Sequence, residues 1–178
     1  MRILIITLLT FSFMNAVAQN KEKEFLNNLN KFCNQSFSGE AVFPEGDRNP
    51  FAGKALKIYF STCTEKEVRI PFHVGEDKSR TWVLTIDEKG LLLKHDHRHE
   101  DGTPDEITMY GGYANAKGNG VEQFFPADEY TANLIPAAAT NEWTFALSED
   151  KKTLSYMLKR DEQLRFHARF DLTKPLEK

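Results

Sequence analysis

The chain has little cysteine, no basic stripe and, after its first residues, no long apolar run. Its 178 residues include 23 lysines and arginines and 26 aspartates and glutamates, and the two signs are interleaved along the sequence. A surface for nucleic acid or for anionic lipid needs clustered basic residues, so this balance argues against both kinds of partner. No later segment approaches the roughly 20 consecutive apolar residues of a membrane helix. The sequence therefore predicts no membrane span.

Local catalytic signatures are also missing. The sequence has no Gly-x-Ser-x-Gly, no phosphate-binding loop and no His-Glu-x-x-His. These motifs mark serine hydrolases, nucleotide-binding enzymes and zinc proteases. Asp101, Asp105 and Glu106 are clustered, but they lack the spacing of a calcium-binding loop. The sequence favours a non-enzymatic protein over an enzyme without deciding between the two.

Two cysteines are present, Cys33 and Cys63, and they do not form a Cys-x-x-Cys motif. This spacing argues against thioredoxin-like redox chemistry. In an exported protein the pair favours a disulfide, which would close a loop of about 31 residues and stabilise the fold by roughly 3–4 kcal/mol. The alternative is a pair of free thiols, one of them a nucleophile.

The first residues predict a secretory signal peptide over residues 1–18. Arg2 is its positive end, residues 3–14 are an apolar core too short to span a membrane, and Ala16-Val17-Ala18 has the small-residue pattern of a cleavage site. We therefore expect residues 19–178 to form a single soluble domain, periplasmic or secreted. No cysteine lies near the cleavage site, so we expect no lipid anchor.

The spacing of apolar residues changes once along the chain. Residues 21–32 carry apolar side chains at helical spacing and predict one amphipathic helix. From residue 37 onward, apolar residues recur at every second position, as in half-buried strands joined by short turns. Strands joined in this way pair antiparallel with their sequence neighbours. The sequence predicts an all-β fold with one N-terminal helix: an up-and-down meander of about nine or ten strands that forms a barrel or a strongly curved sheet.

Three segments interrupt this meander, at residues 44–53, 111–120 and 126–141. In the third and longest, Asp128 predicts the N-cap of a single helical turn that runs through Leu134 and ends before Pro136. Long loops in compact domains often cover binding sites, although many are only connections.

An N-terminal helix followed by about ten short antiparallel strands resembles the calycin superfamily: the lipocalins, the fatty-acid-binding proteins and their bacterial relatives. The resemblance covers most of the chain after residue 19 and implies a barrel that encloses a cavity. Lipocalins carry Gly-x-Trp on their first strand, whereas this chain has Gly39-Glu40-Ala41 there. The resemblance therefore concerns the architecture and assigns no binding residue.

Three of the five histidines, His95, His97 and His99, occupy alternate positions in one segment. In a strand they lie on one face together with Leu91 and Leu93. Three interpretations are open: a solvated hairpin tip, hydrogen-bonding groups in a ligand pocket, or a metal site.

Each functional interpretation names its own residues. A ligand pocket would use His95, His97, Tyr110 and Trp82. A metal site would use His95, His97, His99 and Glu106 to hold a transition metal such as zinc, since imidazole and carboxylate are common zinc ligands. Alternate residues of a strand lie roughly 6.6 Å apart, so neighbouring histidines can share an ion but all three can do so only if the strand bends.

The next predicted strand, residues 107–113, can pair with the histidine strand in two registers. A loop at residues 101–104 places Tyr110 opposite His95, and a loop one residue longer places Met109 there instead. The metal interpretation favours the first register, whereas burial of Ile107 and Met109 favours the second. A slip of one residue sends the opposite set of side chains inward, so the choice decides what faces the interior.

Three functions follow, in order of preference. The first is an exported barrel that binds a small, partly apolar ligand without catalysis. The second is a metal-binding or metal-dependent protein that uses the histidine strand. The third is an envelope protein-interaction module whose barrel has a solid core. The cofactor, the ligand and the oligomeric state stay undetermined at this stage.

Overall fold

The computed structural model describes residues 20–46 and 49–177. In this part of the chain, eleven strands and two α-helices alternate with short turns; the predicted signal peptide lies outside it. The elements are helix α1 (residues 20–30), β1 (Ser36–Phe43), β2 (Leu56–Tyr59), β3 (Thr62–Cys63), β4 (Glu67–Val74), β5 (Asp77–Asp87), β6 (Gly90–His97), β7 (Tyr110–Tyr113), β8 (Glu122–Pro126), α2 (Glu129–Leu134), β9 (Asn141–Leu147), β10 (Thr153–Arg160) and β11 (Gln163–Asp171).

All strands belong to one antiparallel sheet. Strands that follow one another in sequence pair from β4 to β7 and again from β8 to β11. Strand β1 lies between β2 and β11 and joins the two runs, and β2 pairs with β4. The short strand β3 also pairs with β4. The alternation of buried and exposed residues along β4 follows the period of two that the sequence shows. The predicted all-β meander is confirmed, with eleven strands where about nine or ten were expected.

The sheet nearly closes on itself where β7 meets β8. The Asn115 amide donates to the Phe124 carbonyl at 2.9 Å, and the Asp128 amide donates to the Gly111 carbonyl at the same distance. A Cβ atom on Gly112 would lie 2.0 Å from the Pro126 carbonyl oxygen, so only glycine permits this approach of the two backbones. The result is a nearly closed barrel, which is compatible with the architecture that the calycin resemblance implies.

Helix α1 packs against one end of the barrel. Phe25, Leu26 and Leu29 form its apolar face and are fully buried. Polar side chains of the same helix contact the turns at that end: the Glu22 carboxylate accepts from the Leu91 amide at 3.1 Å, and other side chains reach residues 64, 120 and 151. The helix therefore covers the end of the barrel where these turns lie.

The predicted helix, residues 21–32, ends two residues later than α1, which ends at residue 30. Residues 31–34 form a turn in which the amides of residues 32 and 33 donate to carbonyls three positions earlier, not four as in an α-helix. Asn34 has a φ of 61°, which an α-helix does not allow. The turn brings Cys33 to Cys63 on β3, and the two form a disulfide with Cα atoms 5.9 Å apart. The predicted disulfide is confirmed. Among the described residues, no helix is long and apolar enough to cross a membrane.

Strands β6 and β7 pair with His95 opposite Tyr110, as in the first of the two predicted registers. Toward the hairpin tip the pairing departs from that register: the Asp105 amide donates to the His97 carbonyl, and Arg98 pairs with Pro104. Strand β7 begins at Tyr110 rather than at residue 107, since Met109 has a φ of 56° and interrupts the extended backbone. Ile107 and Met109 are 49% and 39% exposed. The burial of these two side chains, which would have favoured the second register, does not occur.

The long segment between β8 and β9 forms the predicted helical turn. The Asp128 carboxylate accepts from the Thr131 amide at 2.8 Å and caps α2, which ends at Leu134. A short 3-10 turn then runs through Pro136–Ala138 and returns the chain to β9. These residues place Ile135 and Ala138 against the interior at the end of the barrel opposite α1.

Candidate functional site

A pocket of about 380 Å³ occupies the end of the barrel opposite α1. Ligand pockets in proteins commonly have volumes of about 300–1,000 Å³, so a small molecule fits. The floor and walls include Phe72, Trp82, His95, Tyr110, Trp143 and Tyr156. The remaining half of the barrel is filled by buried apolar side chains such as Phe37, Phe60 and Leu84.

Three neighbouring strands place the predicted ligand residues side by side. Trp82 on β5 lies opposite His95 on β6, and His95 lies opposite Tyr110 on β7. Directly opposed residues of antiparallel strands project from the same face of the sheet, which here is the inner face. All four residues predicted for a ligand pocket, with His97 as the fourth, line the pocket. Whether they bind a ligand stays a prediction.

His95 is held in one tautomer at the bottom of the pocket. Its Nδ1 lies 3.1 Å from the Tyr110 carbonyl oxygen and its Nε2 lies 2.8 Å from the Tyr156 hydroxyl. Because a carbonyl only accepts, Nδ1 carries the proton and Nε2 accepts from Tyr156. Burial lowers the pKa of His95 to about 3. The ring is therefore neutral at physiological pH.

A second histidine–tyrosine pair lies closer to the mouth. The Tyr110 hydroxyl and the His97 Nε2 are 3.1 Å apart. Burial, with a smaller contribution from the Arg80 guanidinium, lowers the pKa of His97. Burial also raises the pKa of Tyr110 to about 12 and raises that of Tyr156 well above its ordinary value. The polar groups of the floor are thus uncharged near pH 7.

The aromatic rings of the pocket pack on one another. Trp82 lies between Phe72 and Tyr156, with ring centroids 4.6 Å and 4.4 Å away and nearly parallel planes. His95 stacks on Tyr110 at 4.6 Å. Stacked rings hold their neighbours in place, so the wall is preorganised rather than mobile.

Three arginines, Arg80, Arg160 and Arg165, line the pocket near its mouth. The Arg160 Nε donates to the Asn141 side-chain oxygen at 2.9 Å. Arg80 makes an ion pair with Asp77 and lies over the Phe51 ring, 5.8 Å from its centroid. No carboxylate is among the described residues that line the pocket. The charged groups of the mouth are therefore all cationic.

Arg165 lies at a β-bulge on β11, beside this mouth. Leu158 pairs with Phe166 and Lys159 pairs with Leu164, so Arg165 has no partner on β10. Strict alternation along β11 predicts Arg165 on the outer face. Arg165 is exposed, as its place next to the buried Phe166 indicates, and it also contributes to the lining of the pocket.

Several lining residues were not named as site residues from the sequence. Trp143 and Tyr156 lie on the apolar side of their strands, which indicates burial but does not distinguish a pocket wall from the core. His95 and Tyr156 meet although they are 61 residues apart in sequence. No local signal in the sequence predicts such a contact.

The structure separates the residues predicted for a metal site. His99 and Glu106 come together with Asp105 at the hairpin tip, where one ligand atom of each lies within 4.8 Å of the others. His99 and Glu106 are exposed. His95 and His97 are not part of this cluster: they face the pocket, and both ring nitrogens of His95 are hydrogen-bonded. The metal interpretation stays a prediction, centred on the hairpin tip.

No protein-family model matches the chain, and no curated protein and no solved structure match it.

Proposed function

We propose that the protein binds a small, partly apolar ligand in the pocket opposite α1. The observation that carries the proposal is a cavity of about 380 Å³ whose aromatic wall is preorganised and whose buried polar groups already have partners. Apolar cavities with a few fixed polar groups are the usual form of small-molecule sites. A cavity of this size argues against a solid core, which the protein-interaction alternative requires.

The chemistry of the floor supports binding over catalysis. A general base needs a free site for a proton and a pKa near the working pH. Burial holds the pKa of His95 at about 3, and its acceptor nitrogen already receives the Tyr156 hydroxyl. The two phenols keep their protons at physiological pH. We therefore propose a non-enzymatic role for this site.

We also propose that the protein works in an oxidising compartment, periplasmic or extracellular. The Cys33–Cys63 disulfide supports this location, because such bonds persist mainly in exported proteins. Mass spectrometry of the protein recovered from its native host tests it: a mature chain that starts at Gln19 is expected, and an unprocessed chain in the cytoplasm would contradict the proposal.

The test of binding uses N-phenyl-1-naphthylamine, a neutral probe whose fluorescence rises in apolar surroundings. Leu158 lines the pocket and Met157 does not, although the two are adjacent on β10. We expect the wild type and the Met157→Trp variant to bind the probe, and the Leu158→Trp variant, which fills the pocket, to lose binding. Absence of binding to the wild type, or equal binding to both variants, would refute the proposed function.

The cluster of His99, Asp105 and Glu106 favours a second candidate, a metal site at the hairpin tip. One imidazole and two carboxylates can hold zinc, and their exposure predicts weak affinity. Calorimetric titration with zinc should show binding that His99→Asn removes and that His73→Asn, a change on β4, leaves intact. Equal binding by both variants would rule out this cluster.

A further inference from the structure

We propose that the ligand is a planar aromatic acid whose rings lie against the aromatic wall and whose acid group is held by Arg160 and Arg165. This inference rests on the proposed function, because it specifies the chemistry of the molecule that the same pocket takes. Three features carry it: the free charge at the mouth, the uncharged floor and the composition of the wall.

The positive charge that has no carboxylate partner comes from Arg160 and Arg165, on either side of the turn between β10 and β11. Asp161 and Glu162 form its two-residue turn, with φ values of 51° and 62°, and the bulge at Arg165 follows directly. Among residues 20–46 and 49–177, no carboxylate makes an ion pair with Arg160 or Arg165, whereas Arg80 is paired with Asp77. Asp161, which follows Arg160 in sequence, accepts instead from the Thr140 hydroxyl at 2.8 Å.

These two guanidinium groups therefore suit an anion that enters from solvent. Arginine binds a carboxylate or sulfonate through two parallel hydrogen bonds, and such charge-assisted bonds are about twice as strong as neutral ones. Arg160 keeps a neutral partner, Asn141, which orients its Nε without cancelling its charge. The mouth therefore supplies positive charge from Arg160 and Arg165 that no carboxylate of the described residues neutralises.

The floor does not suit a second charge. His95 and Tyr156 are buried and Tyr110 is partly buried. All three are uncharged near pH 7, and each hydrogen-bonds within the protein. A charged group placed there would lose its hydration without a compensating partner, at a cost of several kcal/mol. The ligand should thus carry its charge at one end and an apolar body at the other.

The wall favours a flat body over a flexible chain. Nine of the 18 lining residues carry an aromatic ring or an imidazole, and only Pro50, Ile135, Ala138 and Leu158 are aliphatic. Aromatic pairs gain about 0.5–1.5 kcal/mol beyond the burial of their area. A fused ring system also has no rotatable bonds to immobilise, whereas an alkyl chain loses conformational freedom on binding.

Calorimetric titration with three compounds tests the inference. 2-Naphthoate is the planar acid, 2-naphthamide is its neutral analogue, and decanoate is an acid of similar length without rings. We expect the wild type to bind 2-naphthoate at least about tenfold more tightly than either of the others, since a charge-assisted bond and ring stacking are each worth about that factor.

Arginine variants locate the acid group. The double variant Arg160→Gln/Arg165→Gln should reduce the ratio of the affinities for 2-naphthoate and 2-naphthamide to about one. Arg165→Gln alone should reduce this ratio in part. The single variant should still fold, because the exposed Arg165 makes no ion pair within the described residues. The control is Arg169→Gln, on the outer face of β11, where Arg169 pairs with Glu40 at 2.7 Å; it should keep the preference.

The outcomes separate the two proposals. If 2-naphthamide binds the wild type as tightly as 2-naphthoate, or if the double variant keeps the preference, the assignment of the acid group is overturned while the pocket stands. If decanoate binds as tightly as 2-naphthoate, the inference that the ligand is planar is overturned. If neither 2-naphthoate nor N-phenyl-1-naphthylamine binds the wild type, the proposed function itself is refuted.

Discussion

His95 shows at the residue scale how the barrel interior sets the chemistry of a side chain. The sequence places it on an apolar face, where it could serve as a ligand or as a buried polar group. In the structure it is 3% exposed and both ring nitrogens are hydrogen-bonded. A buried polar group with all its partners specifies one arrangement of its neighbours. His95 therefore links β6, β7 and β10 across the floor of the pocket.

The low pKa of His95 predicts a loss of stability in mild acid. The unfolded chain gains a proton near the ordinary pKa of 6.5, whereas the folded chain stays neutral down to a pKa of about 3. The stabilising contribution is complete above about pH 6.5 and falls by about 1.4 kcal/mol for each unit as the pH drops toward 3. Urea unfolding between about pH 6.5 and pH 4 measures this slope.

Two variants isolate the contribution of His95 in this measurement. His95→Phe should be less stable at neutral pH, because the Tyr156 hydroxyl loses its partner, but should show a shallower slope. Gln163→Phe, a change at an exposed position that removes no titratable group, should keep the wild-type slope. His73, His97 and His167, whose pKa values burial also lowers, add to the pH dependence that remains. An unchanged slope in His95→Phe would contradict the prediction.

At the scale of elements, closure depends on the seam between β7 and β8. The two strands are not paired along a full ladder, and hydrogen bonds of Asn115 and Asp128 at their ends join them. The approach of Gly112 to the Pro126 carbonyl brings the strands together. The seam is consequently the weakest contact around the barrel.

Gly112→Ala should open this seam. The added Cβ would lie 2.0 Å from the Pro126 oxygen, a backbone atom that cannot rotate away. We expect a loss of about 2–3 kcal/mol in the free energy of unfolding and faster hydrogen exchange at the amides of Asn115 and Asp128. Gly102→Ala, whose Cβ would meet no atom within 4 Å, should cost only the left-handed backbone strain and leave that exchange unchanged. Unchanged protection at both amides in Gly112→Ala would contradict this account.

Prediction of the elements from sequence succeeded where local patterns decide. The Asp128 cap and the stop at Pro136 define α2, and the alternation in β4 and β11 defines strands and their inner faces. It failed at residues 107–109, where Met109 turns left-handed, and it did not reveal the bulge at Arg165. Bulges and single left-handed residues depend on pairing with another strand, so a period of two cannot reveal them.

At the scale of the whole molecule, the two ends of the barrel differ in structure: one is packed and closed, and the other has the pocket. Helix α1 and the disulfide close one end, and the residues between them and the floor are tightly packed. The other end has the pocket, its arginines and the segment around α2. The strands that form the packed core thus also supply the walls of the pocket, which gives it a rigid scaffold.

Removal of the disulfide should weaken the closed end without changing the pocket. Cys33 and Cys63 are 30 residues apart, and a loop of this length predicts a loss of about 3–4 kcal/mol in the Cys33→Ser/Cys63→Ser variant. Urea unfolding measures the loss, and reductant should lower the wild-type midpoint while leaving that of the variant unchanged. A wild-type midpoint that does not respond to reductant would contradict the prediction. Probe binding by the folded variant should match that of the wild type.

The sequence by itself determined the alternation that makes strands, the amphipathic helix, the cap of α2 and the two cysteines that can pair, because each depends on neighbours a few residues away. Only the tertiary structure decided which end of the barrel has the pocket, that His95 meets Tyr156 across 61 residues, and that Arg160 and Arg165 line the pocket while His99 stays at the hairpin tip. These features arise from strand register and barrel closure, which depend on the packing of the whole chain at once.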